Sequence, residues 1–307
     1  LINRTKNIKF ATGVMCLPQY HPAVQAGQAA MFDHLSNGRF IMGVGPGGLL
    51  SDFELFGVLD KDRMEMMEES LRMILELWGT EPPYKIQGKH WNIDMKEWTH
   101  HDIKLGYVPK PLQQPHPPIA ISAMSPYSGS LKFAGRNGYI PVSANFIAPW
   151  SVATHWPAYC AGAKESNVTP ESRKWRVARS IFVADSDAEA EEFIKQKSGA
   201  FDYYYEYLFS IFDKADFKAP FVINKNDDPS KLTHQMLRDA CVISGSPETV
   251  SDELMNLMDE IGDFGTILYA AHDWTDKSMM IKSMELFANE VMPRVNRKLN
   301  TRQASAG

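Results

Sequence analysis

The sequence lacks the features of a membrane-spanning, secreted or disulfide-stabilised protein. It has three cysteines, Cys16, Cys160 and Cys241, which are too few and too scattered for a disulfide framework or a thiolate metal site. No run approaches the roughly 18 consecutive apolar residues of a transmembrane helix. The opening stretch, LINRTKNIKF, lacks the apolar core of a secretory signal. These absences predict a cytoplasmic protein that does not span a membrane.

The sequence also has little excess charge of either sign. The 32 Lys and Arg residues and 37 Asp and Glu residues give a formal net charge of -5 at pH 7, and no basic block stands out. We therefore expect neither a nucleic acid nor a membrane surface as a partner. No His, Asp and Glu cluster has metal-ligand spacing, so no metal is expected. No Gly-x-Ser-x-Gly sequence supports a hydrolase.

What is present is an alternation of short apolar runs and helical patterns. With 307 residues, 44% of them hydrophobic, the chain can form one large domain or two ordinary ones. Apolar, strand-like runs are predicted over residues 8–17, 39–45, 119–123, 139–145, 174–185 and 266–271. About six βα units of this kind predict a parallel sheet covered by helices. Both a doubly wound open sheet and a (β/α)8 barrel fit this pattern.

One helix is predicted in detail from its pattern. Residues 62–78 repeat apolar side chains at helical spacing, with charged residues off the stripe. The predicted core stripe consists of Met64, Met67, Leu71, Ile74, Leu75 and Trp78. Asp62 with Glu65 three residues later resembles a capping box, which predicts where this helix begins.

The second half of the chain is predicted to contain a long helix followed by an irregular segment. The helix covers residues 186–212, with Asp185 or Ser186 as its cap. Residues 213–245 are polar, contain prolines and show no sustained periodicity. A loop of this length in a compact domain is usually a lid or a binding loop. We therefore expect a lid over residues 213–245 within a single domain formed by residues 1–307.

Five segments, in the right order, resemble the bacterial luciferase-like flavin-dependent monooxygenases. The most specific is HPAVQAGQAAMFDHLSNGRFIMGVGPGGLLSDFELFGV, with a His-Pro helix start, an Asp-x-Leu-Ser-x-Gly-Arg helix end and a glycine-rich loop. SLRMILELWGTEPPYKIQGKHWNI and ISAMSPYSGSLKFAGRNGYIPVS are similar to the family's helix–hairpin unit and its phosphate-binding strand–loop–helix. ISGSPETVSDELMNLMDEIGDFGTILYAA and SMELFANEVMPRV resemble its last strand and closing helix. Each segment alone is a weak signal, but the five cover nearly the whole chain.

The resemblance implies a (β/α)8 TIM barrel of the luciferase-like type. The segment TKNIKFATGVMCLP matches the third strand of such barrels, so the first two βα units are expected to be absent from this chain. Two units correspond to roughly 60 to 80 residues, and a barrel without them would expose two strand edges. We therefore expect the native protein to be longer than 307 residues.

The resemblance also assigns residues to a flavin site. Gly13 and Val14 match the pair that forms a non-proline cis peptide under the flavin ring, whereas a strand glycine by itself indicates only a bulge or a close backbone approach. Gly45, in the glycine-rich loop, is expected to pack at the ring edge. The phosphate is expected to be bound at a helix N-terminus by Met124, Ser125 and Ser128. Ordinary helix capping by Ser125 is compatible with this role.

Substrate-binding and catalytic residues are expected from two further segments. In FDYYYEYLF, an aromatic run on a helix suits core packing as well as a substrate pocket, to which the resemblance assigns Tyr203 or Tyr204. His272, Asp273 and Trp274 follow the last predicted strand, and strand ends face the active site in a barrel. His272 is the candidate acid or base, with a structural role as the alternative, and Trp274 is the candidate pocket wall.

By resemblance, the expected function is that of a two-component flavin-dependent monooxygenase. Reduced FMN from a separate flavin reductase would react with O2 and oxygenate a small, apolar organic substrate. A deazaflavin-dependent oxidoreductase of the same fold and a non-catalytic flavin-binding relative are the alternatives. A nicotinamide dehydrogenase is disfavoured because no strand leads into a Gly-x-Gly-x-x-Gly sequence.

The helix after the first predicted strand carries a set of small residues. It is predicted over residues 22–36, and His21 at its start is expected to be a capping or packing residue. The small residues are Ala23, Ala26, Gly27, Ala29 and Ala30. They permit close helix approach, and luciferase-like proteins dimerise through helices of this region, so the resemblance implies a homodimer.

Overall fold

In the computed structural model the chain forms two compact units, residues 1–122 and residues 123–307, termed unit 1 and unit 2. Residues 1–272 and 274–306 are described. Both units combine parallel strands with helices, as the alternating sequence pattern predicts. Among the helices of the described residues, none is long and apolar enough to cross a membrane.

Unit 1 is built around one buried strand. Its strands are β1 (Phe10–Ala11), β2 (Met15–Cys16), β3 (Phe40–Gly45), β4 (Lys85–Gln87), β5 (Asn92–Asp94) and β6 (Ile119–Ala123), which ends on the first residue of unit 2. Its helices are α1 (Pro22–Leu35), α2 (Leu50–Leu55) and α3 (Arg63–Gly79). Strand β3 is buried throughout and pairs in parallel with β1, β2 and β6. β4 and β5 form an antiparallel hairpin.

The predicted continuous strand over residues 8–17 is wrong. β1 and β2 both pair with β3, but the residues between the paired positions, 12–14, belong to no strand. The flanking partners are Ala11 with Ile41 and Met15 with Val44. Three residues, 12–14, therefore face only two residues of β3, 42 and 43. An extra residue of this kind forms a β-bulge, where glycine is common.

α1 and α3 begin where the sequence pattern indicates. The Asp62 carboxylate accepts a hydrogen bond from the Glu65 amide (3.0 Å), so Asp62 caps α3. Nδ1 of His21 accepts one from the Ala23 amide (3.2 Å), which confirms the predicted capping role of His21. Each cap satisfies an amide that has no partner within the first helical turn.

The buried face of α3 is wider than the predicted stripe. The buried residues that were expected are Met67, Leu71, Ile74 and Trp78, whereas Met64 and Leu75 are only half-buried. The buried residues that the pattern missed are Met66, Ser70, Met73 and Leu77. α3 contacts α1 and β3, and Met66 also packs with Phe53 and Val58 in a separate apolar cluster. Because several neighbours cover α3, no single stripe describes its core side.

The small residues of α1 pack inside unit 1. Ala26, Ala29 and Ala30 are buried, and α1 packs against α3. The indole N–H of Trp78 on α3 donates to the Ala26 carbonyl (3.3 Å), so the two helices are also joined by a hydrogen bond. The exposed apolar residues of α1 are Val24, Met31 and Leu35.

Unit 2 contains the larger apolar core. Its further strands are β7 (Ile140–Ser143), β8 (Arg176–Val183), β9 (Val242–Gly245) and β10 (Thr266–Ala270). Its helices are α4 (Gly129–Asn137), α5 (Pro149–Ala153), α6 (His155–Glu165), α7 (Asp187–Lys195), α8 (Ala200–Lys214), α9 (His234–Cys241), α10 (Pro247–Ile261), α11 (Lys277–Leu286) and α12 (Met292–Ala306). β8 pairs in parallel with β7, β9 and β10.

An aromatic stack occupies the core of unit 2 beside the start of β8. Trp175 is fully buried, and its ring stacks on Trp156 with centroids 5.9 Å apart and an interplanar angle of 16°. Trp156 in turn stacks on Tyr159 at 5.0 Å and 12°. Offset ring stacks of this kind add stabilisation beyond the apolar area that they bury.

The predicted helix over residues 186–212 is wrong in its continuity. The Ser186 side chain caps α7, accepting from the Glu189 amide (3.2 Å), as predicted. However, α7 ends at Lys195 and α8 begins at Ala200. Ser198 between them has a φ of 58°, in the left-handed region that a continuing helix cannot contain.

Residues 213–245 are more regular than expected. They contain two short 3-10 turns, the whole of α9 and the whole of β9. Phe221 and Leu237 are fully buried in the core. Nη1 of Arg238 on α9 donates to a carboxylate oxygen of Asp202 on α8 (2.9 Å). The expectation of an irregular segment is therefore wrong for its second half.

Candidate active site

The peptide bond between Gly13 and Val14 is cis, as the resemblance implies. A Cβ placed on Gly45 would lie 2.9 Å from Cγ2 of Val14 and 3.4 Å from Oγ of Ser122. Gly45 thus has no side chain because Val14 and Ser122 already occupy that space. Gly13 and Val14 lie in the bulge between β1 and β2, and Val14 lies beside Gly45 at the end of β3, so the three predicted ring-contacting residues are neighbours in unit 1.

Gly13 and Gly43 have opposite surroundings. A Cβ on Gly13 would meet no atom within 4 Å, whereas one on Gly43 would overlap the carbonyl oxygen of Thr12. Oγ1 of Thr12 also donates to the Gly43 carbonyl (2.7 Å), which holds the bulge against β3. Gly43 is a packing requirement that the sequence reasoning missed. The available signal was glycine at two-residue spacing in FIMGVG, on one side of the strand.

In unit 2, the predicted phosphate-binding residues lie in the loop of residues 124–128, termed the phosphate loop. Ser128, not Ser125, caps α4, and its Oγ accepts from the Leu131 amide (3.4 Å). Oγ of Ser128 is also 2.8 Å from Oγ of Ser130. The suggested capping role of Ser125 is therefore wrong. The loop places hydroxyls at a helix N-terminus, which is the donor chemistry that an anion requires.

α4 is held tightly against α6 by two glycines. A Cβ on Gly135 would overlap the carbonyl oxygen of Tyr159, and one on Gly162 would overlap that of Lys132. Close backbone approach thus fixes the position of α4, and with it the end of the phosphate loop. The sequence pattern does not indicate this contact, since both glycines lie inside helices and neither lies in a turn.

His272 lies two residues after β10 and is buried. Its Nε2 is 2.9 Å from Oγ of Ser180 on β8. Its ring packs against Tyr204, with centroids 4.2 Å apart, and against the edge of Phe201 at 4.7 Å. Oγ of Ser180 is in turn 2.9 Å from the hydroxyl of Tyr205. The structure therefore brings together two predicted residues, His272 and Tyr204, with Ser180 and Tyr205, which were not predicted as site residues.

Asn145, two residues after β7, completes this group of side chains. Its Nδ2 is 3.0 Å from Oγ of Ser180 and 3.1 Å from the hydroxyl of Tyr204. The His272 cluster is defined as His272, Ser180, Asn145, Tyr204 and Tyr205. Burial raises the pKa of Tyr204 and raises that of Tyr205 well above its ordinary value, so both phenols stay protonated. The cluster can donate hydrogen bonds to a neutral oxygen and exchange a proton at an imidazole.

Tyr203 and Trp274 lie differently from the other predicted residues. Tyr203 is 55% exposed and stacks on Tyr207, and Trp274 is 45% exposed. Tyr204, by contrast, packs its ring against His272. Asp273, the middle residue of the predicted His-Asp-Trp segment, lies outside the described residues.

Arg179 on β8 is a buried cation that the sequence reasoning also missed. Its Nη1 donates to the Ala178 carbonyl (3.2 Å), and within residues 1–272 and 274–306 its Nη2 has no hydrogen-bond partner. Burial lowers the pKa of Arg179, because a charge in the core loses its hydration. This side chain therefore has unused capacity to pair with an anionic group. The signal for Arg179 and Ser180 was two polar residues inside an otherwise apolar strand.

These features define a class of protein. Parallel strands with helices and a cis Gly13–Val14 bond match the arrangement that the resemblance implies. The sequence pattern of the luciferase-like monooxygenase family matches residues 1–263. The chain belongs to this family.

Particular relatives sharpen the assignment. The chain is 31% identical to 2,5-diketocamphane 1,2-monooxygenase 1 of Pseudomonas putida, over 95% of this chain and 81% of the relative. It is 32% identical to 4-hydroxyprotoasukamycin monooxygenase of Streptomyces nodosus subsp. asukaensis, over 99% and 78%. The fold matches the FMN complex of the oxygenating constituent of 3,6-diketocamphane monooxygenase from Pseudomonas putida, with a TM-score of 0.82 and 29% identity over 96% of this chain and 81% of that one. The predicted family, (β/α)8 fold class and monooxygenase class are confirmed.

Proposed function

We propose that the protein is the oxygenase component of a two-component monooxygenase, which takes reduced FMN from a separate flavin reductase and uses O2. One observation carries this proposal. Over 96% of its length the chain resembles an oxygenating constituent that was solved with FMN and is described as a type II Baeyer–Villiger monooxygenase. The proposed substrate is a small, apolar ketone, since the diketocamphane monooxygenases are named for diketones.

The residues present fit FMN. The open space beside Gly13 leaves room for a flat ring against the backbone, so Gly13, Val14 and Gly45 are the proposed ring contacts. The hydroxyls at the start of α4 suit a phosphate. Its proposed ligands are Met124, Ser125 and Ser128.

The proposed cofactor and side-chain roles are distinct. When bound in its reduced form, FMN supplies the electrons that activate O2. The hydroxyl of Tyr204 and the amide of Asn145 would bind the substrate carbonyl, because both groups carry N–H or O–H donors. His272 would hold or release a proton at its imidazole, with Ser180 orienting the ring through Nε2. Tyr203 and Trp274 would form the outer wall of the substrate pocket.

The first experiment tests the reaction itself. Purified protein, FMN, a flavin reductase, NADH and a bicyclic diketone are incubated under 18O2, and the products are analysed by mass spectrometry. We expect a lactone that carries one labelled oxygen. Product formation with reduced deazaflavin and not with reduced FMN would favour the deazaflavin alternative. Tight FMN binding without oxygenation of ketones, aldehydes or terpenes would favour the non-catalytic relative.

His272→Ala tests the proposed proton transfer. Loss of a positioned acid or base should lower the rate of product formation by about 100-fold, while reduced FMN still binds. The matched control is Tyr207→Phe, which changes an exposed aromatic residue on the same helix as Tyr204. Equal rates in His272→Ala and the parent protein would show that His272 is structural.

We also propose a homodimer that forms through α1. The supporting feature is the exposed apolar face of α1, formed by Val24, Met31 and Leu35, since three of its small residues, Ala26, Ala29 and Ala30, are buried within unit 1. Light scattering should give a mass of about twice 34.6 kDa. The double variant Met31→Glu/Leu35→Glu should be monomeric, and a monomeric parent protein would contradict the proposal.

The remaining proposals concern organisation. Residues 1–307 are proposed to form one barrel domain, since the family match continues from unit 1 into unit 2. Of the predicted lid segment 213–245, only the part before α9, residues 215–233, is proposed to act as a lid that excludes water from the substrate, since α9 and β9 belong to the core of unit 2. A cytoplasmic location is proposed from the sparse cysteines, which include the buried free thiol of Cys241.

A further inference from the structure

The phosphate loop is held by a chain of buried hydrogen bonds that begins at Trp175. The indole N–H of Trp175 donates to Oγ of Ser143 (2.9 Å). Oγ of Ser143 is 2.8 Å from Nδ1 of His155, and Nε2 of His155 is 3.0 Å from the carbonyl oxygen of Ser125. Trp175, Ser143 and His155 are all fully buried. These three hydrogen bonds therefore connect the aromatic core of unit 2 to the backbone of the phosphate loop.

Chemistry fixes the direction of every hydrogen bond in this chain. An indole N–H can only donate, and a carbonyl oxygen can only accept. Nε2 of His155 must therefore carry the proton that faces Ser125. A neutral imidazole has one N–H, so Nδ1 accepts from the Ser143 hydroxyl. Burial lowers the pKa of His155 to about 4, so the ring is neutral near pH 7 and this tautomer is the one present.

The residue before His155 provides a second attachment for the loop. Oγ1 of Thr154 accepts from the Tyr127 amide (2.7 Å) and donates to the Ser151 carbonyl (2.6 Å). Tyr127 has a φ of 54°, so the chain reverses sharply at this amide. Two consecutive residues at the start of α6 thus hold one carbonyl and one amide of the phosphate loop.

We infer that His155 is a positioning residue for the cofactor phosphate, which acts by turning the Ser125 carbonyl away from the anion. A carbonyl oxygen carries partial negative charge, so it would repel a phosphate if it pointed towards one. The Nε2–H of His155 binds this oxygen from the core side and leaves the rest of the loop to face the ligand. This inference rests on the proposed function, which assigns the phosphate to residues 124–128.

Two substitutions by amide side chains test the hydrogen bonds at Nε2 and at Nδ1 of His155 one at a time. In His155→Gln, the side-chain amide can reach the position of Nε2 and still donate to the Ser125 carbonyl. In His155→Asn, the shorter side chain can accept from Ser143 at the position of Nδ1 but does not reach Ser125. Each variant keeps one hydrogen bond and loses the other, so their general destabilisation is matched.

The measurement compares reduced FMN with reduced riboflavin, which lacks the phosphate. Both are titrated calorimetrically without oxygen against the parent protein and each variant. We expect the parent to bind FMN more tightly and His155→Asn to lose about 10-fold in FMN affinity, the effect of one lost hydrogen bond to a positioning group. Riboflavin affinity should change less than about 2-fold in the same variant. His155→Gln should keep most of the preference for FMN.

A second buried polar residue supplies the control for folding. Oγ of Ser283 accepts from the Val183 amide (2.8 Å), far along the chain from the phosphate loop. Ser283→Ala should lower thermal stability without changing the ratio of FMN to riboflavin affinity. An equal drop in this ratio for Ser283→Ala and His155→Asn would overturn the inference.

The outcomes distinguish the inference from the proposed function. Equal affinities of the parent protein for FMN and riboflavin would overturn the phosphate assignment, and the role of His155 with it. A preference for FMN that survives His155→Asn would overturn the role of His155 alone. If His155→Asn does not fold, Ser143→Ala replaces it, because the imidazole then loses the donor that keeps its proton on Nε2.

A cofactor-free measurement checks the tautomer directly. In 15N spectra of protein labelled at histidine, His155 is assigned by its absence from His155→Gln. We expect the Nε2–H tautomer at pH 7, and a shift of its Nδ1 resonance in Ser143→Ala. A proton found on Nδ1 would remove the donor to the Ser125 carbonyl and overturn the inference.

Discussion

The two units present their candidate site residues by different means. In unit 1 the positions that matter are glycines, and the geometry depends on how closely backbone and side-chain atoms approach them. In unit 2 they are buried polar side chains, and the geometry depends on which hydrogen bonds they complete. The candidate site of unit 1 should therefore be sensitive to added atoms, and that of unit 2 to lost hydrogen-bond partners.

The largest expected effect adds one methyl group in unit 1. In Gly43→Ala, the new Cβ would overlap the Thr12 carbonyl, so the free energy of unfolding should fall by about 3 kcal/mol. In Gly13→Ala, the new Cβ meets no protein atom, so stability should change by less than about 1 kcal/mol. Affinity for reduced FMN should nevertheless fall in Gly13→Ala. Urea denaturation and calorimetric titration of both variants measure these effects.

Two outcomes for these glycine variants would contradict the prediction. Equal stability of Gly43→Ala and Gly13→Ala would show that the bulge relaxes and that close approach does not define unit 1. Unchanged FMN affinity in Gly13→Ala would remove Gly13 from the proposed ring contacts.

The next effect concerns a buried imidazole in unit 2. Burial lowers the pKa of His155 to about 4. The hydrogen bond to the Ser125 carbonyl acts to raise this pKa, whereas the charge of Arg179 lowers it further. In the unfolded chain this pKa is about 6.5, so the unfolded state binds more protons between these values. The contribution of His155 to the free energy of unfolding should be fully present above pH 6.5. It should fall by about 3 kcal/mol as the pH falls to 4.

Urea denaturation of the parent protein and His155→Gln across this range isolates the contribution. The stability of His155→Gln should fall less steeply between pH 6.5 and 4, because the titrating imidazole is gone. Parallel curves for the two proteins would mean that His155 does not titrate differently on folding.

The smallest effect compares one helix cap from each unit. Asp62→Ala in unit 1 and Ser128→Ala in unit 2 should each cost about 1 kcal/mol of stability, since each removes a side-chain cap. Only Ser128→Ala should also weaken the binding of reduced FMN, with riboflavin binding preserved. Thermal unfolding and titration together test this, and a loss of FMN affinity in Asp62→Ala would show that the effect is not local.

Local signals predicted local structure well. The caps at His21, Asp62 and Ser186 follow from residue type and spacing, because their partners lie two or three residues away. The family and fold class followed from five sequence segments that together extend through both units. These features depend on short stretches of sequence, so no knowledge of tertiary contacts was needed.

Contacts between distant residues were not predictable in the same way. The break between α7 and α8 interrupts a stretch whose pattern looks helical throughout, and α3 is buried on more sides than one stripe can show. The His272 cluster joins Asn145, Ser180 and Tyr204, which are distant in sequence and come together only through folding. The cap of α4 was assigned three residues too early, to Ser125 and not Ser128.

The stacked rings of Trp156 and Trp175 give unit 2 an optical signature of its own. Two indoles held 5.9 Å apart and nearly parallel couple their electronic transitions, so near-ultraviolet circular dichroism should report their geometry. The same indole of Trp175 begins the chain of hydrogen bonds that reaches Ser125. Ligand binding at the phosphate loop should therefore be visible spectroscopically without any added label.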